Sequence, residues 1–293
     1  MTIAGCYLSS EGVVLGADST ASFQFPDGLH YLNHAQKLFE IGNDSTLGIV
    51  VWGLGGLQQT SHRTLVAQLG DDLAGRAPTS VAEVMDRWID LFWNAYTTEL
   101  AASIARVTAL AAMAPYDPAS SSPGARSEAE EKEFKQLAGG LSVGFCIGGY
   151  TPPSRAPDAF SVVFEPLGPK PTPSQVAMEG YGFWGAPNMV SRLLHGSDPR
   201  LRSDILNSGK WAGSPAELDA ILQRFVFGHL KMPIRDAIDF VYSYILSTIK
   251  AYKFSSMSQI CGGPIELAVI RTDRPFYWVK HKPWHAALME GSN

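Results

Sequence analysis

The sequence has few of the features that mark secreted, membrane-spanning or disulfide-bonded proteins. Its 293 residues include three cysteines, Cys6, Cys146 and Cys261, which are widely spaced and form no CxxC pair. This usage argues against a disulfide framework and is typical of reduced thiols. The longest apolar run, around residues 47–57, is too short to span a bilayer, and no signal segment is recognisable. We therefore expect a cytoplasmic protein without membrane association.

Strong positive charge and clustered metal ligands are also lacking. The net charge of −5 argues against a nucleic-acid partner, because nucleic acids select basic faces. The seven histidines are scattered, and Pro283 interrupts the close pair His281 and His285. We expect that pair on a surface tail rather than in a helical metal site. The sequence predicts no metal and no cofactor.

The order of the predicted elements indicates the fold class. Strand-like runs at 2–9, 12–17, 37–41 and 47–52 precede two helices, one around 65–73 and one after the capping box of Ser80 and Glu83. Strands follow at 141–150, 159–166 and 174–180. Helices at 186–195, after Ser214, and over 234–249 then precede strands at 265–271 and 275–280. Strands and helices that come in blocks favour segregated layers over an alternating parallel sheet.

We therefore predict an α+β fold in which two sheets are enclosed by two helical layers. The composition, 45% hydrophobic and 17% charged, supports a sizeable core. One domain is expected over 1–293. Residues 115–139, rich in Pro, Ser and charge, are interpreted as a surface insertion with a short helix from Ser127, and residues 281–293 as a C-terminal tail.

Thr2 is the first candidate catalytic residue. Removal of Met1, which a small second residue permits, would give Thr2 a free α-amine beside its hydroxyl. Such an amine titrates near about 7.7–8.0, so it can serve as the base that a threonine hydroxyl needs. Retention of Met1 would block this chemistry. The alternative is a Met-Thr start without functional meaning.

Asp18, Lys37 and Gly53 are the residues that could assist Thr2. Asp18 ends an apolar strand, where an acid must be paired or exposed, and Lys37 begins another strand. If the hairpins lie side by side, the two can form an ion pair beside Thr2 that lowers the pKa of its hydroxyl. Gly53 follows a third apolar run and could offer its N–H to an oxyanion. The alternatives are two solvated strand ends and a strand-to-helix turn.

The segments "TIAGCYLSSEGVVLGADSTAS" (2–22), "KLFEI" (37–41) and "WGLGGLQQ" (52–59) resemble, in this order, the proteasome β-subunit family of N-terminal nucleophile hydrolases, and within it the bacterial proteasome-type members. The resemblance is specific over about the first sixty residues. It implies a four-layer αββα sandwich. It also implies Thr2 as nucleophile and its amine as base, Asp18 and Lys37 as tuning residues, and the Gly53 N–H as oxyanion donor.

The resemblance further implies an activity and partners. The chain would be a threonine peptidase that cleaves peptides or unfolded proteins through an acyl-enzyme, inside a self-associated ring and with a possible ATPase unfoldase. Family position places Ala21, Val51 and Gly55 in an apolar first subsite, with Ser22 also in the substrate site.

Later motifs depart from the family pattern. Gly182-Phe183-Trp184-Gly185 stands where the family has a "GSGS"-like turn, and Ser258 and Cys261 stand in place of the usual Asp and Ser. These losses leave nucleophile, lysine and oxyanion donor intact but motivate an alternative hypothesis, a non-catalytic structural ring subunit with the same fold.

Ser142 is a rival nucleophile. Residues 140–144 match G-x-S-x-G, the nucleophile elbow of α/β-hydrolases, which requires a strand before the serine and a helix after it. Here a charged segment precedes the serine and a strand-like run follows it. We therefore interpret Ser142 as a small residue at an incoming strand.

Overall fold

The computed structural model describes residues 2–25, 28–118 and 124–283, and its strands form three antiparallel sheets. Sheet 1 contains, in spatial order, β10 (Gly180–Gly185), β1 (Ile3–Ser9), β2 (Gly12–Ala17), β11 (Glu266–Arg271) and β12 (Arg274–Lys280). Sheet 2 contains β5 (Leu38–Glu40), β6 (Leu47–Gly53), β7 (Val143–Gly149), β8 (Asp158–Phe164) and β9 (Ser174–Gln175). The third is the hairpin of β3 (Ala21–Phe25) and β4 (Gly28–Leu32).

The α-helices of the described residues are α1 (His62–Gly75), α2 (Val81–Glu99), α3 (Ala101–Ala111), α4 (Glu128–Gly140), α5 (Asn188–His195), α6 (Pro199–Asn207), α7 (Pro215–Leu222) and α8 (Ile234–Lys253). Helix α2 begins after Ser80, whose side chain accepts from the Glu83 N–H, and α7 has a capping box of Ser214 and Glu217. Over the part of the chain that the structure describes, no helix combines the length and apolarity needed to cross a membrane. The predicted α+β class is confirmed.

The central strands of sheet 1, β1, β2 and β11, are buried on both faces. Along β1, Ala4, Cys6 and Leu8 pack toward sheet 2, whereas Ile3 and Tyr7 pack toward helix α8. This alternation follows from the two-residue period of a strand. Because both faces are buried, β1 and β2 are apolar along their whole length, and their positions are fixed from two sides.

Sheet 2 packs against α2 through an aromatic cluster. Phe92 is fully buried, and its ring centroid lies 4.7 Å from those of both Phe145 and Phe164. Trp88 stands edge-on to Phe145 at 4.8 Å. Helix α4, which begins after the capping box of Ser127, also packs partly buried side chains on this cluster. The second half of 115–139 is therefore a helix in contact with the core, and 119–123 lie outside the described residues.

Four parts of the fold differ from the sequence prediction. The hairpin β3–β4 and the helices α3 and α6 were not predicted, and the strand expected over 174–180 is divided between β9 and β10. Helix α3 buries only Val107 and Leu110, so its apolar periodicity is weak. The strand breaks because Glu179 adopts a positive φ of 57° in a turn that Gly180 closes on Ala177.

The aromatic cluster leads to a stability prediction. Phe92→Ala should lower the free energy of unfolding by about 3–5 kcal/mol, because it removes a buried ring and leaves a cavity. The measurement is urea unfolding followed by circular dichroism. As a control, Phe254→Ala, at a position that is 77% exposed, should change the midpoint little. Equal effects of the two substitutions would contradict the packing described here.

Candidate functional site

The carboxylate of Asp18 is fully buried where β2 ends. Its Oδ1 accepts hydrogen bonds from the N–H of Ile3 at 3.1 Å and from Nζ of Lys37 at 2.7 Å. Its Oδ2 accepts from the N–H groups of Thr20 at 3.2 Å and Gly262 at 2.8 Å. A carboxylate has about four acceptor positions, so these donors satisfy it. Asp18 thereby joins four chain segments at one point.

Lys37 is the buried cation of this centre. It is 7% exposed, and its Nζ donates to Asp18 Oδ1 and, at 2.5 Å, to the carbonyl oxygen of Thr20. Burial lowers the pKa of Lys37, and the negative charge of Asp18 opposes that change. An ammonium group has three N–H donors, so these two bonds leave one for another acceptor.

Thr2 lies directly before β1 and is 3% exposed. Its neighbour Ile3 pairs with Gly185 of β10 and shares the Asp18 Oδ1 acceptor with Lys37. Gly185 has a φ of 84°, and a Cβ there would lie 2.0 Å from the carbonyl oxygen of Thr2. Only glycine allows this approach, so the backbone of Thr2 is held between β10 and the Asp18 centre.

The strand register sets the direction of the Gly53 amide. The Val51 N–H of β6 donates to the carbonyl oxygen of Lys37 on the β5 side, and the N–H of Leu54, directly after β6, donates to that of Ser142 on the β7 side, both at 2.9 Å. Because N–H groups alternate along a strand, the Gly53 N–H is directed like that of Val51, toward the edge that lies before the first residue of β5, Leu38. Gly53 has a φ of 88°, and a Cβ there would lie 2.3 Å from the Ser142 carbonyl oxygen, so this position requires glycine.

Seven of the eight residues predicted for the site border one cavity of about 800 Å³. They are Thr2, Lys37 and Gly53, together with the predicted substrate contacts Ala21, Ser22, Val51 and Gly55. Asp18 does not line the cavity and lies behind Lys37. The structure thus brings a hydroxyl, a buried ammonium and a strand-edge amide to the wall of one cavity.

Two tryptophans and a histidine near the cavity were not predicted for the site. Trp52 stacks on Trp184 with ring centroids 4.7 Å apart, which links β6 to β10 beside Thr2. Of this pair, Trp52 borders the cavity. His62 also borders it and stands edge-on to Phe145 at 5.4 Å. Burial lowers the pKa of His62 to about 4, so its ring is neutral at physiological pH.

The segment before β11 also contributes. Gly262 donates to Asp18 and accepts from the Ser19 N–H at 2.9 Å. Cys261 is fully buried, and burial followed by the charge of Asp18 raises the pKa of its thiol to about 12. Ser258 is exposed. Backbone contacts of this kind carry no sequence signal, because any residue can make them.

Residues 182–185, which stand where the family has a "GSGS"-like turn, form part of a strand. Gly182, Phe183 and Trp184 lie in β10 and pair with Cys6, Gly5 and Ala4 of β1. A helix, α5, follows only at Asn188.

Ser142 does not lie in a nucleophile elbow. It follows α4 and precedes β7, which reverses the strand–serine–helix order of that motif. Its Oγ donates to the carbonyl oxygen of Ala138 at 3.0 Å. Within the described ranges, no group of three or more His, Cys, Asp or Glu side chains is placed to hold a metal ion.

His62 leads to a prediction of pH-dependent stability. Its folded-state pKa of about 4 lies below the ordinary value of 6.5, so the unfolded chain binds the proton more tightly. This contribution to stability is complete above pH 6.5 and is lost as pH falls toward 4, by about 3 kcal/mol in total. Urea unfolding between pH 7.5 and 4.5 measures the slope. His62→Gln should flatten it, and the exposed-site control His229→Gln should not; equal slopes in all three proteins would refute this assignment.

Comparisons with known proteins complete this description. No family model and no curated protein matches the chain. Among solved structures, the chain is similar to Anbu (ancestral beta-subunit) from Yersinia bercovieri, with 10% identity and a TM-score of 0.48, covering 100% of this chain and 92% of that one. It is also similar to an Anbu (Gly-1) mutant from Hyphomicrobium sp. strain MC1, with 11% identity, a TM-score of 0.45 and coverage of 100% and 94%.

These findings correct the family prediction. The interpretation of the chain as a bacterial proteasome-type β-subunit is wrong, because no family model matches it and the solved structures named above are Anbu proteins. The motifs in residues 2–59 suggested that family because they describe one local arrangement. In it, two hairpins and a turn at Gly53 surround Asp18 and Lys37. At this identity and TM-score the similarity carries no argument about activity, and the function is inferred from the geometry of the site.

Proposed function

We propose that the chain is an amidohydrolase that cleaves peptide bonds with Thr2 as an N-terminal nucleophile. One observation carries the proposal: Thr2, Lys37 and the Gly53 edge border the same cavity, with the saturated Asp18 carboxylate behind the lysine. A buried lysine with a remaining donor at the wall of a cavity is costly to build for stability alone. The proposal requires that Met1 be removed, so that Thr2 carries a free α-amine.

The reaction then follows from these groups. The Thr2 Oγ attacks the carbonyl carbon of the substrate amide while its proton passes to the α-amine. The C–N bond breaks, the departing amine takes that proton, and an acyl ester remains on Thr2. Water attacks the ester, again with the α-amine as base, and releases the carboxylic acid. The free threonine is restored.

Lys37 and Gly53 lower the barriers of these steps. The third donor of Lys37 supports the Thr2 oxygen as it loses its proton, and the positive charge keeps the α-amine neutral. The Gly53 N–H, at the edge of β6 that lies beyond the start of β5, donates to the oxyanion of the tetrahedral intermediate. Asp18 acts by holding Lys37 in place.

The cavity favours an extended peptide or unfolded-protein substrate. Ala21, Val51 and Gly55 border it with small or apolar surfaces, which fits an apolar first subsite, and Ser22 adds a hydroxyl there. The hairpin β3–β4 contributes further wall through Phe23. Its volume of about 800 Å³ is in the range of ligand sites.

The proposal extends to the architecture. We assign the chain to one domain with a four-layer αββα arrangement, in which α2 covers sheet 2 and α8 covers sheet 1. The packing of α2 on β8 and of α8 on β1 and β2, with an apolar cluster between the sheets, supports this assignment.

Self-association, as in a ring, forms part of the same proposal. Phe225, Phe227 and Leu230 are 61%, 73% and 85% exposed, and apolar surface of this kind marks contact sites. A cytoplasmic location fits the three free, buried cysteines. A folded protein is too large for the cavity of about 800 Å³. Folded substrates would therefore need an ATPase unfoldase as a partner that unfolds them first.

A second candidate is a non-catalytic subunit with the same fold. The buried, protonated thiol of Cys261 beside Asp18 favours it, because that position then offers no hydroxyl to relay the proton of the α-amine.

The first prediction of the proposal concerns Thr2. An epoxyketone or β-lactone should form one covalent adduct, and peptide mapping should place it on Thr2 of a chain that lacks Met1. Thr2→Ala should abolish labelling, whereas Ser142→Ala should leave it unchanged. No adduct on a correctly processed chain would favour the non-catalytic subunit, and Met1 present in all molecules would overturn the mechanism.

The second prediction concerns Lys37. Lys37→Met should slow labelling by about 100-fold or more, since it removes the group that supports the Thr2 oxygen. The exposed control Lys132→Met should leave the rate unchanged. Because Lys37→Met also leaves the Asp18 carboxylate without its cation, Lys37→Met/Asp18→Asn serves as a second variant with no orphaned charge. Wild-type labelling rates in both variants would exclude Lys37 from the reaction.

A further inference from the structure

We propose that Lys282 is a positioning residue for the site: its ammonium group holds the segments that carry Asp18 and Lys37 in place against Glu266. The sequence predicts a C-terminal tail over 281–293, which includes residue 282. The inference deepens the proposed function, and the effect expected on the reactivity of Thr2 rests on that function. The contacts that Lys282 makes with the two segments do not depend on it.

Glu266 is the anchor of this connection. It lies in β11, opposite Ala17 of β2, and is a fully buried acid in an otherwise apolar part of the strand. A buried carboxylate must be paired. Lys282 Nζ lies 2.8 Å from its Oε2, and His281 Nδ1 lies 2.7 Å from its Oε1. His281 is itself placed by stacking on Trp278 of β12, with ring centroids 4.2 Å apart.

The ammonium of Lys282 contacts three polar groups of the protein. Its Nζ forms the ion pair with Glu266 and donates hydrogen bonds to Oγ of Ser19 and to the carbonyl oxygen of Ala35, each at 3.1 Å. Its side chain is 10% exposed. Lys37 likewise donates to two protein acceptors, Asp18 and Thr20. The two lysines differ in position, because Lys37 borders the cavity with its remaining donor, whereas Lys282 is paired with Glu266 and does not line the cavity.

The two segments that Lys282 joins are those that position the catalytic groups. Ser19 follows Asp18 directly, and Ala35 lies two residues before Lys37. The segments also contact one another, because the Ala35 N–H donates to the Ser19 carbonyl oxygen at 2.9 Å. Without the ammonium group, this backbone bond, the bond from Thr20 Oγ1 to Asn33 Oδ1 and the two hydrogen bonds of Lys37 would remain to hold the same geometry. Small displacements of reacting groups reduce rates strongly.

Lys282 also contributes charge. The groups that act on Lys37 are Asp18 at the end of β2, Cys261 before β11 and Lys282 after β12. Thr2 supplies a further amine once Met1 is removed. Burial and the like charge of Lys282 lower the pKa of Lys37, and Asp18 raises it. Removing Lys282 should therefore raise the pKa of Lys37 and move the high-pH limit of Thr2 reactivity upward.

The test compares four variants of the full chain. Lys282→Met removes the connection, Lys282→Arg keeps charge and donors, and Lys282→Met/Glu266→Gln avoids an orphaned carboxylate in case the single variant does not fold. Lys280→Met is the matched control, since this lysine lies two residues earlier and its Nζ donates to Tyr242 at 3.4 Å, away from the site.

Two readouts separate the structural connection made by Lys282 from the proposed function of Thr2. Hydrogen exchange by mass spectrometry should show faster exchange in peptides covering 18–22 and 33–38 for Lys282→Met and the double variant, and wild-type exchange for Lys280→Met. The second-order rate of Thr2 labelling by a β-lactone should fall about tenfold or more for Lys282→Met, with its high-pH limit moved upward. Lys282→Arg should stay near wild type in both readouts.

Each result decides a different statement. Unchanged exchange in both Lys282→Met variants overturns the connection whether or not Thr2 reacts. Faster exchange with an unchanged labelling rate and pH limit overturns the positioning role. If wild-type protein is not labelled, the proposed function fails, and the exchange data alone then decide whether Lys282 holds the two segments.

Discussion

The site depends on one buried carboxylate. Asp18 accepts four hydrogen bonds, from the start of β1, the segment after β2, the lysine before β5 and the loop before β11. Each of these segments comes from a different part of the chain. A buried ion that lost one partner would carry a penalty of about 3–5 kcal/mol, so the four segments are held together by the cost of leaving Asp18 unsatisfied.

A second buried pair repeats the arrangement one strand away, because Glu266 of β11 lies opposite Ala17 of β2. Glu266 and Lys282 lie beside the Asp18–Lys37 pair, and Ser19 and Ala35 connect the two. Each lysine donates hydrogen bonds to two protein acceptors, and only Lys37 of the two borders the cavity. This difference in position assigns a structural role to Lys282 and leaves the remaining donor of Lys37 at the site. Because the two ion pairs lie close together, the charges of Asp18 and Lys282 both act on Lys37. The pKa of Lys37 therefore depends on both pairs.

The fold makes such a cluster possible because sheet 1 is covered on both faces. Helix α8 packs on one side and sheet 2 on the other, so the end of β2 and the start of β1 are buried. Charges in that position must satisfy one another. The cavity opens where β5 has not yet begun, since its first residue, Leu38, pairs with Val50, and this leaves the amide edge of β6 without a strand beside Gly53. The same short strand thus creates the opening and exposes the hydrogen-bond donor.

The sequence by itself determined the local elements and the candidate residues near its start. Apolar alternation and capping residues located β1, β2, α2, α7 and α8, and an acid at a strand end pointed to a partner for Asp18. Glu266 carried the same signal within an apolar strand and could have been recognised as a paired acid. Only the tertiary structure decided which cations meet these carboxylates, because Lys37 and Lys282 are separated by 245 positions and ion pairing leaves no periodic pattern. Backbone donors such as Gly262 are likewise independent of side-chain identity, so three-dimensional packing alone reveals them.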